Sequence, residues 1–147
     1  MFHENSHLGD ELAEGAGITR LDWTREVAAL WVGRRLGAFY LTGSASRVLQ
    51  REPHLPPLAA ALGLDWFGPS FGLGAIPVQL IAGVFGDAAE QTRWHVSVMG
   101  RIGLVLWGAD GRRSLSFSLI GYDGVSLQRQ FFDQFTRYLG GELRIDL

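Results

Sequence analysis

The stretch SLSFSLI at residues 114–120 alternates serine with large apolar side chains without a break. Successive side chains of a strand point to opposite faces, so a period of two commits this segment to a sheet with two unlike faces. Leu115, Phe117 and Leu119 are expected to face a core, with Ser114, Ser116 and Ser118 pointing the other way. Other segments join the same pattern. Trp94, Val96 and Val98 alternate with His95, Ser97 and Met99. Leu104–Trp107 resumes a strand after a glycine-bracketed kink at Gly100–Gly103. The dipeptides of ADG (109–111) mark a turn, and ELRIDL ends on alternating Leu143, Ile145 and Leu147.

The rest of the chain reads as helices and loops around that sheet. Residues 1–7 form a loose arm, followed by a short helix over Leu8–Glu14 that stops in Gly15-Ala16-Gly17. In residues 25–43, Arg34 would interrupt the apolar stripe of a helix, and Gly33 and Gly37 weaken one, so a hairpin of Val27–Val32 and Leu36–Thr42 is expected with its turn at Gly33–Arg35. Ser44 caps a helix running to Arg51, which Pro53 ends. HLPPLAAALG (54–63) starts another, with proline in its first turn and Gly63 after its end. LDWFGPSFGLG (64–74) is expected to be a loop, and residues 76–85 a strand or a buried helix. Ser126 caps the last helix, whose apolar face is Leu127, Phe131, Phe135, Tyr138 and Leu139, and Gly140 stops it. The expected object is a single α+β domain over 1–147: an antiparallel sheet of about five strands with helices on one face, in the order helix, hairpin, helix, strands, helix.

Composition removes several chemistries. There is no cysteine, which excludes disulfides, thiolate metal sites and a cysteine nucleophile. All 13 basic residues are arginine, so Schiff-base chemistry and a phosphate-loop lysine are excluded too. Net charge is −2 and the longest basic runs are the pairs Arg34–Arg35 and Arg112–Arg113, which argues against a nucleic-acid partner. No apolar stretch reaches the ~18–20 residues of a spanning helix, and no basic-then-apolar leader opens the sequence. The expectation is a soluble, cytoplasmic protein without a membrane span.

Two motifs point to catalysis. HENSH (3–7) matches H-E-x-x-H, in which histidines four apart on a helix bind zinc and the glutamate activates the metal-bound water. His3, Glu4 and His7, with Glu26 as a third ligand, would fill those roles. Asn5 and Ser6 are poor residues for the interior of a helix, however, and this one would have almost nothing before it. GPSFG (68–72) matches G-x-S-x-G, the strand–turn–helix elbow that exposes a nucleophilic serine. Ser70, Asp87 and His95 follow the required chain order. Yet the motif is flanked by a second Gly-x-Gly and Pro77 where a helix should follow, so neither motif is read as a working site.

The expected function is therefore a non-enzymatic protein-interaction module, an adaptor, chaperone-like or assembly subunit without cofactor or metal, that binds another protein or itself. Aromatic side chains anchor interfaces, and Trp66, Phe67, Phe71 and Trp107 are the candidates. The alternative is a pocket for a small apolar ligand between sheet and helices, with Tyr122, His95 and Asp123 supplying polar groups. A hydrolase through either motif is the third reading.

Overall fold

Two Gly-Ala pairs set the topology. Gly37 and Gly74 each take φ +62°, a conformation that costs glycine nothing and that the first position of a tight type II′ hairpin requires. The computed structural model describes residues 2–6, 23–52, 56–108, 111–126 and 134–146. The strands are β1 (Phe2–Ser6), β2 (Trp23–Leu36), β3 (Phe39–Glu52), β4 (Leu58–Leu73), β5 (Ile76–Ala89), β6 (Val96–Trp107), β7 (Ser114–Val125) and β8 (Phe135–Asp146). They form one 8-stranded sheet in sequential order, and every neighbouring pair is antiparallel. A single 3₁₀ turn at Glu90–Thr92 is the one helical element among the described residues.

The α+β expectation is overturned: no helix packs on this sheet among the described residues. Ser44–Arg51 belongs to β3, and Leu58–Gly63, expected as a helix, belongs to β4. Residues 64–73, all but the last of LDWFGPSFGLG, are not a loop but the rest of β4, with a register shift between Phe67 and Ser70. Gly68 serves close packing, since a Cβ there would lie 2.6 Å from the Trp66 ring, and it is Gly74, at the segment's end, that turns the chain. Residues 76–85 are strand, within β5. The hairpin of residues 27–42 is present, but its turn falls at Gly37-Ala38, and Gly33 lies inside β2 opposite Thr42. Strand β6 runs unbroken through Gly100–Gly103. Phe135, Tyr138 and Leu139 lie on β8 with residues 142–146, not on a helix. The proposed helix at Leu8–Glu14 and residues 127–133 of the last one lie outside the described residues.

The faces are also reversed. Ser114, Ser116 and Ser118 are buried at 9%, 7% and 6% exposure, whereas Phe117 is 48% and Leu119 69% exposed. The register carries this inversion across the sheet. Gly103 and Arg101 of β6 share the serine face, as do Asp65 of β4 and Thr42 of β3. Ile102, Val84, Leu64 and Leu41 share the Leu119 face. We call these the inner and outer faces. The packed residues of the inner face are few and include Tyr122, Ile81 and Val105.

The inner face is packed tightly where it is built of small residues. A Cβ at Gly103 would collide with the Phe117 carbonyl oxygen and come within 2.9 Å of the Ser118 Cα, whereas one at Gly100 meets nothing within 4 Å. Gly103→Ala is therefore expected to destabilise by about 1–3 kcal/mol, because β6 and β7 must part to admit it. Gly100→Ala, three residues earlier on the same strand, is expected to be neutral or slightly stabilising. Denaturant unfolding of the two variants checks this.

Candidate functional site

Strand pairing places polar side chains in rows on the inner face. Asp65, Gly83 and Arg101 lie side by side on β4, β5 and β6. The Arg101 guanidinium donates to Asp65 across the glycine at 2.8 Å. Gly83 is what lets the pair close, since a Cβ there would stand 2.5 Å from Asp65 Oδ1 and 3.2 Å from Arg101 Nε. Along β7 the Ser114 hydroxyl bonds Asp146 Oδ2 at 3.1 Å. The Asp146 carboxyl is held below the usual carboxylate range, chiefly by its hydrogen bond from Arg144, against some loss of solvation and with help from Ser114. Ser97 Oγ accepts from the Val125 amide at 3.1 Å, while the buried Ser118 hydroxyl has no hydrogen-bond partner.

Between β2 and β5 the inner face forms a recess of about 280 Å³. Ala29, Ser44, Ser46, Ala59 and Ala61 make its small-residue floor, and Trp31 and Phe85 stand at its sides. Arg25, Gln91, Pro56 and Pro57 also line it, and Asp87 does so from the register row of Ala61, Ser44 and Trp31. Arg25 Nη1 donates to Gln91 Oε1 at 3.5 Å.

The outer face is different in kind. On β4 its residues are Leu58, Ala60, Leu62, Leu64 and Trp66, and on β8 they include Leu139, Leu143 and Ile145. Leu62 is 69% and Leu139 90% exposed. A shallow groove of about 550 Å³ crosses it between Leu80, Ile102, Leu104, Phe117, Leu119 and Leu143. Outward charges sit near strand ends: Arg34 by the β2–β3 turn, and Arg47 opposite Leu58 at the other end. At that same end the Arg137 guanidinium pairs with Asp123, and the His95 ring meets Phe135 edge-on at 4.5 Å. Trp94 adjoins them in a left-handed conformation, φ 61°, that a bulky residue seldom takes. Its amide donates to the Ala89 carbonyl at 2.9 Å.

The two sequence motifs do not assemble. Phe2–Ser6 is a strand with His3 opposite Glu26, so H-E-x-x-H lacks its helix; His7 lies outside the described residues. No group of three or more His, Cys, Asp or Glu side chains able to hold a metal occurs among the described residues. Ser70 lies opposite Gln79 on β5, and Asp87 is eight residues further along that strand, a separation of roughly 26 Å at the usual rise of a strand. His95 is near Asp87's end of the sheet, not Ser70's. The GPSFG segment is the β4 irregularity, braced by Gln79 Nε2 donating to the Gly68 carbonyl at 3.2 Å.

The aromatic candidates divide between the faces. Trp66 and Phe71 are outward; Phe67 is inward, with the Arg35 guanidinium 5.5 Å from its ring centre. Trp107 ends β6 opposite Ser114. Tyr122 is 4% exposed, stacks on Tyr138 at 5.2 Å and donates its hydroxyl to the Val125 carbonyl. Asp123, grouped with Tyr122 in the sequence reading, points to the opposite face. Trp31, Asp65 and Arg101 were missed, although Leu62-Gly63-Leu64-Asp65-Trp66 alternates as clearly as 114–120. Its glycines read as a loop.

A family model described as "Protein of unknown function (DUF1207)" matches residues 1–146. The chain belongs to the DUF1207 family. The match takes in every strand of the sheet, so this family's sequence pattern and the two-faced sheet are coextensive. No curated protein and no solved structure matches the chain.

Proposed function

We propose that this chain is the wall of a membrane-embedded β-sheet of the outer-membrane barrel type, its outer face against lipid. The observation that carries the reading is the inverted polarity. Among the described residues 26 large apolar side chains are exposed and five are buried, while four serines are buried. In water so continuous an apolar face is a severe liability, since soluble monomers seldom expose patches above a few hundred Å². In lipid it is what a spanning strand requires, with apolar residues outward and polar or small ones inward.

Other features agree. Strands β2–β8 are 12 to 16 residues long, more than the ~9–11 that cross a bilayer when tilted. A sequential antiparallel meander pairs backbone groups between neighbours, as hydrocarbon demands. Tight Gly-Ala turns join β2 to β3 and β4 to β5 at one end, and Trp94, Phe135 and the Asp123–Arg137 pair lie at the other, the placement of an interfacial girdle. No helix among the described residues is long and apolar enough to cross a membrane; that criterion, like the sequence expectation built on it, does not address strands.

The competing proposal is the interaction module, its partner covering the outer face. Folding the purified chain with and without phospholipid vesicles separates the two. The lipid-facing reading expects strand circular dichroism and protease resistance to appear with vesicles and to survive alkaline carbonate washing. A folded, monodisperse protein in plain buffer sinks it.

A further inference from the structure

We propose that the recess on the inner face is a binding site for a neutral hydroxylated ring, a sugar of the pyranose class. This goes beyond the lipid-facing reading and does not depend on what covers the outer face, because every wall of the recess is built from inner-face residues and the segment that bounds it.

The chemistry follows from the lining. The floor is flat, because Ala29, Ser44, Ser46, Ala59 and Ala61 project little from three neighbouring strands. Trp31 pairs directly with Ser44 and is 62% exposed although it lies on the inner face. An indole left open beside a small-residue floor offers an apolar π surface on which the C–H face of a ring can stack. Phe85 closes the opposite side. The hydroxyls of Ser44 and Ser46 each donate and accept, and the rest of the polar lining combines guanidinium, carboxylate and amide in Arg25, Asp87 and Gln91. A sugar hydroxyl also donates and accepts, so it matches that mixture. An anion would meet Asp87, and a cation would meet Arg25. The volume of about 280 Å³ lies just under the ~300–1,000 Å³ of drug-sized sites, which suits one or two rings.

The test is isothermal titration calorimetry on the full chain, in vesicles or in buffer, whichever gives strand circular dichroism. D-glucose, maltose and inorganic phosphate are the probes. Saturable heat with glucose or maltose and none with phosphate is the expected result. Trp31→Ala should weaken binding at least about tenfold, since it removes the stacking wall, and Ser44→Val should weaken it in the same direction. Trp66→Phe, on the outer face, should leave it unchanged. The proposal is overturned if neither sugar binds at millimolar concentration, if phosphate binds in preference, or if Trp31→Ala folds and binds as before. Should Trp31→Ala not fold, Ser44→Val and Trp31→Phe decide the matter. Loss of sugar binding in a chain that still inserts into vesicles fails this proposal alone, and sugar binding by a chain that folds without lipid fails only the lipid-facing reading.

Discussion

Arginine in place of Leu119 is expected to cost about 2–4 kcal/mol of folding stability measured in phospholipid vesicles. Leu119 is 69% exposed on the outer face and sits mid-strand between Ile102 and Gly141. Against lipid, a guanidinium there would have no water within reach and no outward acceptor beside it. The contrast with an aqueous protein is one of sign as well as size. Exchanging an exposed leucine for arginine on a water-facing surface changes stability by no more than about 0.5 kcal/mol and improves solubility. Arginine is already present on the outer face at Arg34 and Arg137, near the ends of β2 and β8, and at Arg47, which lies beside the first residue of β4. A tolerated arginine at 119 with Leu62→Arg equally silent would show that water, or a polar partner, covers this face.

Replacing Tyr122 by alanine is expected to lose about 3–5 kcal/mol, the usual cost of deleting a buried aromatic ring. The ring stacks on Tyr138 of the neighbouring strand, and lies opposite Met99 on the other side, so its loss opens a cavity spanning three strands. Tyr122→Phe keeps the ring and removes the hydroxyl that donates to the Val125 carbonyl, which should cost about 0.5–1.5 kcal/mol. Equilibrium unfolding of both variants gives the order. A loss below about 1 kcal/mol for the alanine variant would mean that the inner face is hydrated here rather than packed.

These two substitutions lie three positions apart on one strand, yet opposite logic governs them. Residue 119 is sensitive to charge because of what surrounds the sheet. Residue 122 is sensitive to volume because of what the sheet packs against itself. The same distinction separates the Asp65–Arg101 pair, bridged across Gly83 on the inner face, from the outward Asp123–Arg137 pair at the rim. The inner pair ties three strands together at one register, whereas the rim pair is solvent-exposed and contributes little to stability.

Sequence alone determined the period. Residues 114–120, 96–98 and 143–146 alternate, and they are strands, whereas Trp94 and His95, read with the second of them, lie in the turn before β6. It determined the hairpin of residues 27–42 as well, though not its turn: Arg34–Arg35 looked like turn residues, and the positive φ of Gly37 decided otherwise. Elsewhere a second period was written over the first. Phe135, Tyr138 and Leu139 fit a helix at 3.6 residues per turn, but Phe135, Arg137, Leu139 and Leu143 also fit one face of a strand, and pairing with β7 selects the strand. The run LAAAL has high helix propensity, but here its Ala59 and Ala61 lie in a sheet between β3 and β5, where small side chains form the recess floor. Propensities are weak beside two ladders of backbone hydrogen bonds.

Only the tertiary structure decided which face is inward. Alternation tells that two faces differ in polarity, but it carries no sign, because the identity of the surrounding medium is not encoded in a period. Leucines at 115 and 119 read as core under the assumption of water outside. The sign was set by Gly103, which admits the Ser118 face into close contact, and by Tyr122, which fills that side, leaving Phe117 and Leu119 on the other. Ser70, Asp87 and His95 were separated by the same cause: their order along the chain suggested a triad, and the strand register put more than half of β5 between the serine and the aspartate.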